Sequence, residues 1–337
     1  MNEFKKLNAF ETRKLTMDEL CEYKRKLRRY QAENNIKPKG TKVRKALHPL
    51  INLSMTLRRV FKSKLTLTTY INGQKASKLD VHKHLSSKNT DNRPIIFSVT
   101  HMGKFDIELV NEAIRKHYYL LSDDEEYMYR SIDGFFTWLE GAVYVDSDYS
   151  HQVDGDTKYS NDAYVAKETM ITLGKMGVNL MYYPEAGWCF SENMMMYDCK
   201  FGMIEIAKDA NFVIVPVAID SNNKDFYVNI GDTIYPEQIC KDVNSFEDKK
   251  EAMKIVVDKM STLKYNIWDK HSHMNRDDIS DDYWEKFVDS ELAKWPYATR
   301  EMFEKRIFKP KDKVSADEVF APIKRIREKN SGKSSQR

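Results

Sequence analysis

The amino-acid sequence predicts an α/β protein in which helices cover a mixed sheet. Three observations predict this fold class. From about residue 92, short apolar runs alternate with longer runs of helical period; residues 225–230 end this series as a strand; and the chain after about residue 245 has a helical pattern. Such alternation is typical of a sheet with covering helices.

The predicted elements follow one another in a regular order. The strands are PIIFSV, YYLL, AVYV, VNLMYY and FVIVPVAI, and DFYVNI is the last of them. The helical run DIELVNEAIRKH follows the first strand, and further helices are predicted near residues 161–176 and 200–210. Their periodicity distinguishes helices from strands at each point.

Four parts of the chain differ in character. We predict an N-terminal helical arm over residues 1–91, an α/β core over 92–240, a C-terminal helical extension over 241–327 and a disordered tail over 328–337. The tail has the polar, low-complexity composition of disordered chain ends.

Within the arm, residues 42–64 predict a basic amphipathic helix that is bent or begins near Pro49. Apolar residues recur there at helical spacing with basic residues beside them: Leu50, Leu53, Leu57, Val60 and Phe61, with Arg58, Arg59, Lys62 and Lys64. Such a helix packs its apolar face on the protein's own core or contacts anionic lipid headgroups, and one helix can do both.

Composition argues against several classes of protein. Of the 337 residues 41% are hydrophobic and 31% charged, and no run approaches the length of a membrane span. The N-terminal segment lacks the apolar region of a secretory signal, so we expect a cytoplasmic protein. A net charge of +4, without a Walker loop or paired zinc motif, argues against a nucleic-acid partner. The four cysteines show no metal-binding spacing, so we expect no metal.

The spacing H-x-x-x-x-D, which lets a carboxylate fold back onto an imidazole, occurs three times. It begins at His101, His151 and His273. His101 follows the strand PIIFSV after one residue, and a helix is predicted to begin near Asp106, so His101 lies at the carboxyl end of a strand, where open α/β sheets bind ligands. The other two histidines lie in polar loops. We therefore predict that His101 and Asp106 are the catalytic pair.

The segment around His101 resembles the glycerolipid and lysophospholipid acyltransferase family, in which H-x-x-x-x-D is followed by three further blocks in fixed order. GAVYVD at 141–146 resembles the second block, YYPEAGW at 182–188 the third and VIVPVAI at 213–219 the fourth. The run KFGMIEIAKDANFVIVPV also resembles the family's lysine and glycine followed by a helix. The resemblance covers roughly residues 92–220 and implies an acyltransferase-type core.

This resemblance implies transfer of an acyl group from a thioester to a hydroxyl, without a protein nucleophile. His101 would take the proton of the acceptor hydroxyl, while Asp106 would hold the ring tautomer and stabilise the imidazolium. Glu185 would accept hydrogen bonds from the acceptor, and Gly187 would allow close approach of the backbone. Main-chain amides around Gly103 or Gly187 would form the oxyanion hole.

Two positions depart from the family pattern. Phospholipid-making members usually carry an arginine in the second block and another in the third, where this chain has Ser147 and Trp188. An arginine fork suits phosphate recognition, so its absence favours a glycolipid or headgroup alcohol as acceptor. Lys104, Lys200 or Arg130 would then supply point charges. We also expect Lys104 and Trp188 to bind the substrate.

These observations predict an O-acyltransferase that moves a fatty acyl chain to a hydroxyl of a lysophospholipid, glycolipid or related acceptor. The donor would be acyl-CoA or acyl carrier protein as co-substrate, with no other cofactor. We expect peripheral association with the inner face of the cell membrane, through contact with its anionic surface. Two alternatives stay open: a thioesterase with Cys189 as nucleophile and His101 as its base, and a noncatalytic membrane-surface protein that retains the fold.

Overall fold

A computed structural model of the chain describes most of residues 37–271 and isolated positions outside them. The continuous described ranges are 37–103, 105–122, 137–145, 161–187, 199–222 and 224–271. The helices in these ranges are α1 (Pro38–Leu57), α2 (Lys78–His84), α3 (Asp106–Ile114), α4 (Asn161–Lys175), α5 (Gly202–Asp209), α6 (Pro236–Ile239) and α7 (Phe246–His271). The strands are β1 (Thr66–Ile71), β2 (Gln74–Lys75), β3 (Ile95–Val99), β4 (Tyr118–Ser122), β5 (Ala142–Tyr144), β6 (Asn179–Tyr182), β7 (Val213–Asn222) and β8 (Asp225–Ile230).

The strands form one mixed sheet in the order β2-β1-β8-β7-β3-β6-β4-β5. β3 lies between β6 and β7 and is parallel to both. β4 is parallel to β6 and to β5, whereas β8 is antiparallel to β7 and β2 antiparallel to β1. Helices pack against this sheet, which confirms the predicted fold class.

The central strands are apolar on both sides because helices cover both faces of the sheet. One face packs against α4, α5 and α7, which contribute Leu173, Met203 and Val256 to a buried cluster. The other packs against α2 and α3, through Val81 and Leu109 among others. All five residues of β3 are buried, and each large apolar side chain among them adds about 1.5–3 kcal/mol of burial free energy. The central strand is therefore firmly packed up to the point where the next residues leave the sheet.

The predicted amphipathic helix is present, but its apolar stripe faces outward. α1 contains Pro49, and a π-helical turn, Arg58–Ser63, continues it. Leu50 and Phe61 are 64% and 74% exposed, and the other apolar residues of the stripe are exposed as well: Leu53, Leu57 and Val60. The inward side instead buries His48 and Asn52 beside Ile51 and Met55. The structure therefore does not show the apolar stripe packed on the protein's own core, which was one of the two interpretations of this helix.

Two strands lie within residues 1–91, which the sequence pattern assigned to a helical arm. β1 pairs in parallel with β8 along six residues, from Thr66 opposite Asp225 to Ile71 opposite Ile230. The partners are far apart in sequence, so no local periodicity announces the pairing. At the other end of the core, α7 belongs to the predicted C-terminal extension yet packs directly on the sheet, where Met260 lies in the buried cluster.

The structure also bears on membrane topology within the part of the chain that it describes. There, no helix combines the length and the apolar character that a bilayer span requires.

Candidate active site

The candidate site lies at the carboxyl ends of the three central parallel strands. Val99, the last residue of β3, pairs with Val217 of β7. Thr100 ends this ladder: its main-chain N–H donates to Val217 O at 3.1 Å, and its buried hydroxyl oxygen accepts the N–H of Ile219 at 3.0 Å. The chain leaves the sheet at this point and places His101 in the crevice where open α/β sheets bind ligands.

His101 and Asp106 are in contact. The ring Nδ1 of His101 lies 2.9 Å from Asp106 Oδ2, and the carboxylate is fully buried. The same oxygen accepts the main-chain N–H groups of Met102 at 2.5 Å and Gly103 at 2.9 Å. Asp106 is also the first residue of α3, where the helix dipole favours a negative charge. With Nδ1–H donating to the carboxylate, the ring carries its lone pair on Nε2, as a base requires.

The described residues 183–187 and 189, which we call the third-block loop, fix the main chain of His101. Glu185 Oε1 accepts the N–H of His101 at 2.9 Å, and the N–H of Cys189 donates to His101 O at 2.7 Å. Glu185 is 7% exposed. One carboxylate oxygen of Glu185 therefore holds the histidine backbone, and its contact with an acceptor stays a prediction.

Tyr183 stacks on the imidazole of His101. The two ring centroids lie 4.3 Å apart and the ring planes differ by 28°. Burial, followed by the negative charge of Asp106, raises the pKa of Tyr183 well above its ordinary value, so the side chain stays a neutral phenol. Tyr183 belongs to the block YYPEAGW, and no role was predicted for it from the sequence. An aromatic residue immediately before the proline and glutamate was the feature that could have pointed to it.

The remaining predicted residues have different positions. The N–H of Gly103 donates to Asp106 at 2.9 Å, so this amide is already engaged, and its part in an oxyanion hole stays a prediction. Gly187 is buried in the third-block loop, next to Ala186, which has a left-handed φ of 53°. Lys200 is exposed. It lies beside that loop, because its main-chain N–H donates to Pro184 O at 2.8 Å.

Several predicted residues lie outside the described part of the chain. Among them are Lys104 and Trp188, together with Ser147 and Arg130. The other two histidines with the H-x-x-x-x-D spacing, His151 and His273, also lie outside it.

A second carboxylate and a cation lie near the same edge of the sheet. Burial raises the pKa of Asp220 on β7; the positive charge of Lys264 on α7 opposes this rise and the negative charge of Asp106 adds to it. Lys264 itself is 8% exposed. Among the described residues, no group of three His, Cys, Asp or Glu side chains is arranged to hold a metal ion.

These features define an α/β enzyme with a histidine–carboxylate pair at the end of its central strand. Residues 78–220 match the family model described as Acyltransferase, and the match spans the chain from α2 through most of β7. This match confirms the predicted resemblance to the family and the predicted enzyme class, an O-acyltransferase.

A solved structure is also similar to the chain. It is the 1-acyl-sn-glycerophosphate acyltransferase PlsC from Thermotoga maritima, which is 14% identical over 76% of this chain and 87% of that chain, with a TM-score of 0.39. No curated protein sequence matches the chain.

Proposed function

We propose that the protein transfers a fatty acyl chain from a thioester, acyl-CoA or acyl carrier protein, to a hydroxyl of a lipid acceptor, with His101 as general base. One observation carries the proposal: the imidazole of His101 is bound at Nδ1 by the buried carboxylate of Asp106, at 2.9 Å, where the central strand ends. That arrangement assigns the basic lone pair to Nε2.

The reaction follows from that tautomer. His101 Nε2 removes the proton of the acceptor hydroxyl as its oxygen attacks the thioester carbonyl, and Asp106 stabilises the imidazolium that forms. The carbon–sulfur bond then breaks, the thiolate takes the proton back from the imidazolium, and an ester and a free thiol are released. General-base catalysis of this kind contributes about 10²–10⁴-fold. We propose the amide of Gly187 as an oxyanion donor, because the amide of Gly103 is engaged by Asp106.

The acceptor is proposed to be a lipid, because the protein exposes an apolar surface that suits a membrane. We define the membrane stripe as the exposed apolar residues on α1 and its π-helical turn: Leu50, Leu53, Leu57, Val60 and Phe61. Lys62 and Lys64 are exposed at its end and would attract anionic headgroups. This surface supports peripheral contact with the inner face of the cell membrane. Because Ser147 and Trp188 stand in place of two phosphate-binding arginines, a glycolipid or headgroup alcohol is favoured over lysophosphatidic acid.

The experiment supplies purified protein with acyl-CoA or acyl carrier protein and with acceptor lipids in vesicles. Thiol release is measured together with new acyl esters by mass spectrometry. The proposal expects one ester for each thiol and no release without acceptor. A thioesterase would instead form free fatty acid without acceptor and would lose activity in Cys189→Ala but not in the matched control Cys199→Ala. If no thioester is consumed, the protein is noncatalytic and the proposal fails.

A further inference from the structure

His101 is held from three directions, and each contact constrains a different part of the residue. Glu185 and Cys189 bind its main-chain N–H and carbonyl. Asp106 binds the Nδ1 edge of the ring. Tyr183 lies against the face of the ring, with its centroid 4.3 Å away. The described structure therefore contains a face contact that neither the hydrogen bond nor the backbone contacts can replace.

A hydrogen bond at one ring edge leaves the imidazole able to tilt about the line from Nδ1 to Oδ2. A stacked aromatic ring blocks that tilt on one side, and so keeps Nε2 pointing in a single direction. The second consequence is electrostatic. The π face of an aromatic ring attracts a cation, so the imidazolium that forms during proton transfer is more favourable above Tyr183 than above an aliphatic side chain.

The tyrosine is itself held in place. Its hydroxyl donates weakly to Met181 Sδ at 3.4 Å, and Pro184 follows it directly in the third-block loop. The side chain packs against the buried cluster between the sheet and α3. The hydroxyl of Tyr183 contacts Met181, whereas the face of its ring contacts His101, so the ring is the part of Tyr183 that acts on the histidine.

We propose that Tyr183 is a positioning residue for the acyl transfer: its ring supports the face of the His101 imidazole, directs Nε2 toward the acceptor hydroxyl and stabilises the transient imidazolium. The proposal rests on the proposed function of His101. It goes beyond it by assigning to the aromatic residue of the third-block loop a role in kcat that depends on the ring and not on the hydroxyl.

The experiment compares Tyr183→Phe, which keeps the ring, with Tyr183→Met, which keeps much of the volume without a π face. The control is Tyr118→Met, because Tyr118 is a buried tyrosine of the same cluster with no ring contact to His101 among those of the described residues. We expect kcat to fall about 10- to 100-fold in Tyr183→Met, with the KM for the acyl donor changed less than about 2-fold. Tyr183→Phe and Tyr118→Met should stay within about 3-fold of wild type in kcat.

Two further readouts separate positioning from general loss of structure. The acid limb of the kcat/KM profile should move to lower pH in Tyr183→Met and stay in place in Tyr183→Phe, because a lost π face disfavours the imidazolium. In NMR spectra of protein with ¹³C-labelled histidine, the His101 ring signals should lose their upfield ring-current shift in Tyr183→Met only. This second readout needs no activity; should the Met variant not fold, Tyr183→Leu takes its place in both measurements.

The outcomes distinguish the two proposals. If Tyr183→Met retains wild-type kcat, or if Tyr118→Met loses as much, the positioning role is overturned while the proposed function stands as long as His101→Ala is inactive. Unchanged His101 ring signals in Tyr183→Met would also overturn it. A wild-type protein that forms no ester from any thioester would overturn both.

Discussion

Arg59 and Glu112 form a bidentate ion pair that joins the π-helical turn after α1 to α3. Nε and Nη2 of the guanidinium lie 2.7 and 2.9 Å from the two carboxylate oxygens, and the side chains are only 14% and 6% exposed. Arg58 Nη1 also lies 2.9 Å from Glu108 Oε1 on the same helix, α3. Because α3 begins at Asp106, the helix that carries the membrane stripe is tied to the helix that carries the proposed catalytic carboxylate.

This pair should matter for stability. Arg59→Gln leaves Glu112 as an uncompensated buried charge, so we expect the free energy of unfolding to fall by about 3–5 kcal/mol. The double variant Arg59→Met with Glu112→Leu should recover most of that loss, because it removes both charges. Urea unfolding measures these differences, and Lys62→Gln, a change at an exposed site of the same turn, should stay within about 0.5 kcal/mol of wild type. Equal stability of Arg59→Gln and wild type would mean that the pair does not form.

Membrane binding must therefore be tested at the lysines and the stripe, and not at the two paired arginines. Lys62→Gln with Lys64→Gln should weaken binding to anionic vesicles by about 1 kcal/mol for each lysine and should hardly affect neutral vesicles. Leu53→Ser with Phe61→Ser should weaken binding to both kinds, since it removes apolar insertion. Vesicle sedimentation at low and high salt measures each effect.

The matched control for the stripe is Leu79→Ser on α2, because Leu79 is 60% exposed but lies outside the stripe. It should bind like wild type. The membrane interpretation of α1 is contradicted if the Leu53 and Phe61 variant also sediments like wild type with both kinds of vesicle.

A buried histidine should make stability depend on pH. His117 Nε2 donates to the main-chain oxygen of Glu140 at 2.9 Å, and burial is the main reason that its pKa is lowered from 6.5 to about 4. Electrostatic repulsion from the nearby side chains of His48, Lys45 and Arg44 adds to this lowering. A lowered pKa in the folded state means that the stabilisation is complete above pH 6.5 and is lost as the pH falls through about 4.

The expected loss is about 3 kcal/mol in the free energy of unfolding, from a pKa difference of roughly 2.5 units. His117→Gln, which keeps a donor near the position of Nε2, should remove this part of the pH dependence. Glu140 makes the stability depend on pH in the opposite direction, because burial raises its pKa. This contribution is present in both proteins and therefore cancels in the comparison. Chemical unfolding across this pH range measures the difference; parallel curves for the two proteins would show that His117 is not the group responsible.

Two helical glycines should respond in opposite directions to substitution by alanine. A Cβ at Gly174 would overlap the ring of Phe212, a fully buried side chain, so Gly174→Ala should cost about 1–3 kcal/mol. A Cβ at Gly202 meets no atom within 4 Å, and Gly202→Ala should stabilise the protein by about 0.4–1 kcal/mol. Thermal unfolding of the two variants measures both effects. If the unfolding temperatures of the two variants change in the same direction by the same amount, the packing of α4 on Phe212 is contradicted.

The part of the fold that the sequence predicted is the part with local signals. β3, β6 and β7 are continuous apolar runs, and Asp106 begins a helix with clear periodicity, so the strand ends around His101 could be located in advance. β1 could not, because its identity as a strand depends on pairing with β8, which is distant in the chain. The orientation of α1 was not predictable either: the inward position of His48 depends on Glu140, at 2.5 Å, which the pattern of apolar residues cannot show.

In the candidate site, too, some contacts could be predicted from the sequence and others could not. The contact between His101 and Asp106 follows from short sequence separation across one turn. The stacking of Tyr183 on His101 joins the ends of two neighbouring strands and depends on the sheet order β3-β6. The hydrogen bond from the Gly103 amide to Asp106 likewise depends on how the turn closes, which the spacing of the two residues does not show.

The measurement that tests the account most directly is acyl transfer by His101→Ala with folding checked by circular dichroism. We expect turnover of an acyl thioester with acceptor to fall at least about 10²-fold, as for the loss of a general base, and Asp106→Asn to lower it as well. His82→Ala, at an exposed histidine of α2, should retain wild-type turnover, and so should His151→Ala and His273→Ala. If His101→Ala folds and transfers acyl groups at the wild-type rate, or if any of these control histidines proves as important, His101 is not the base and the account is wrong.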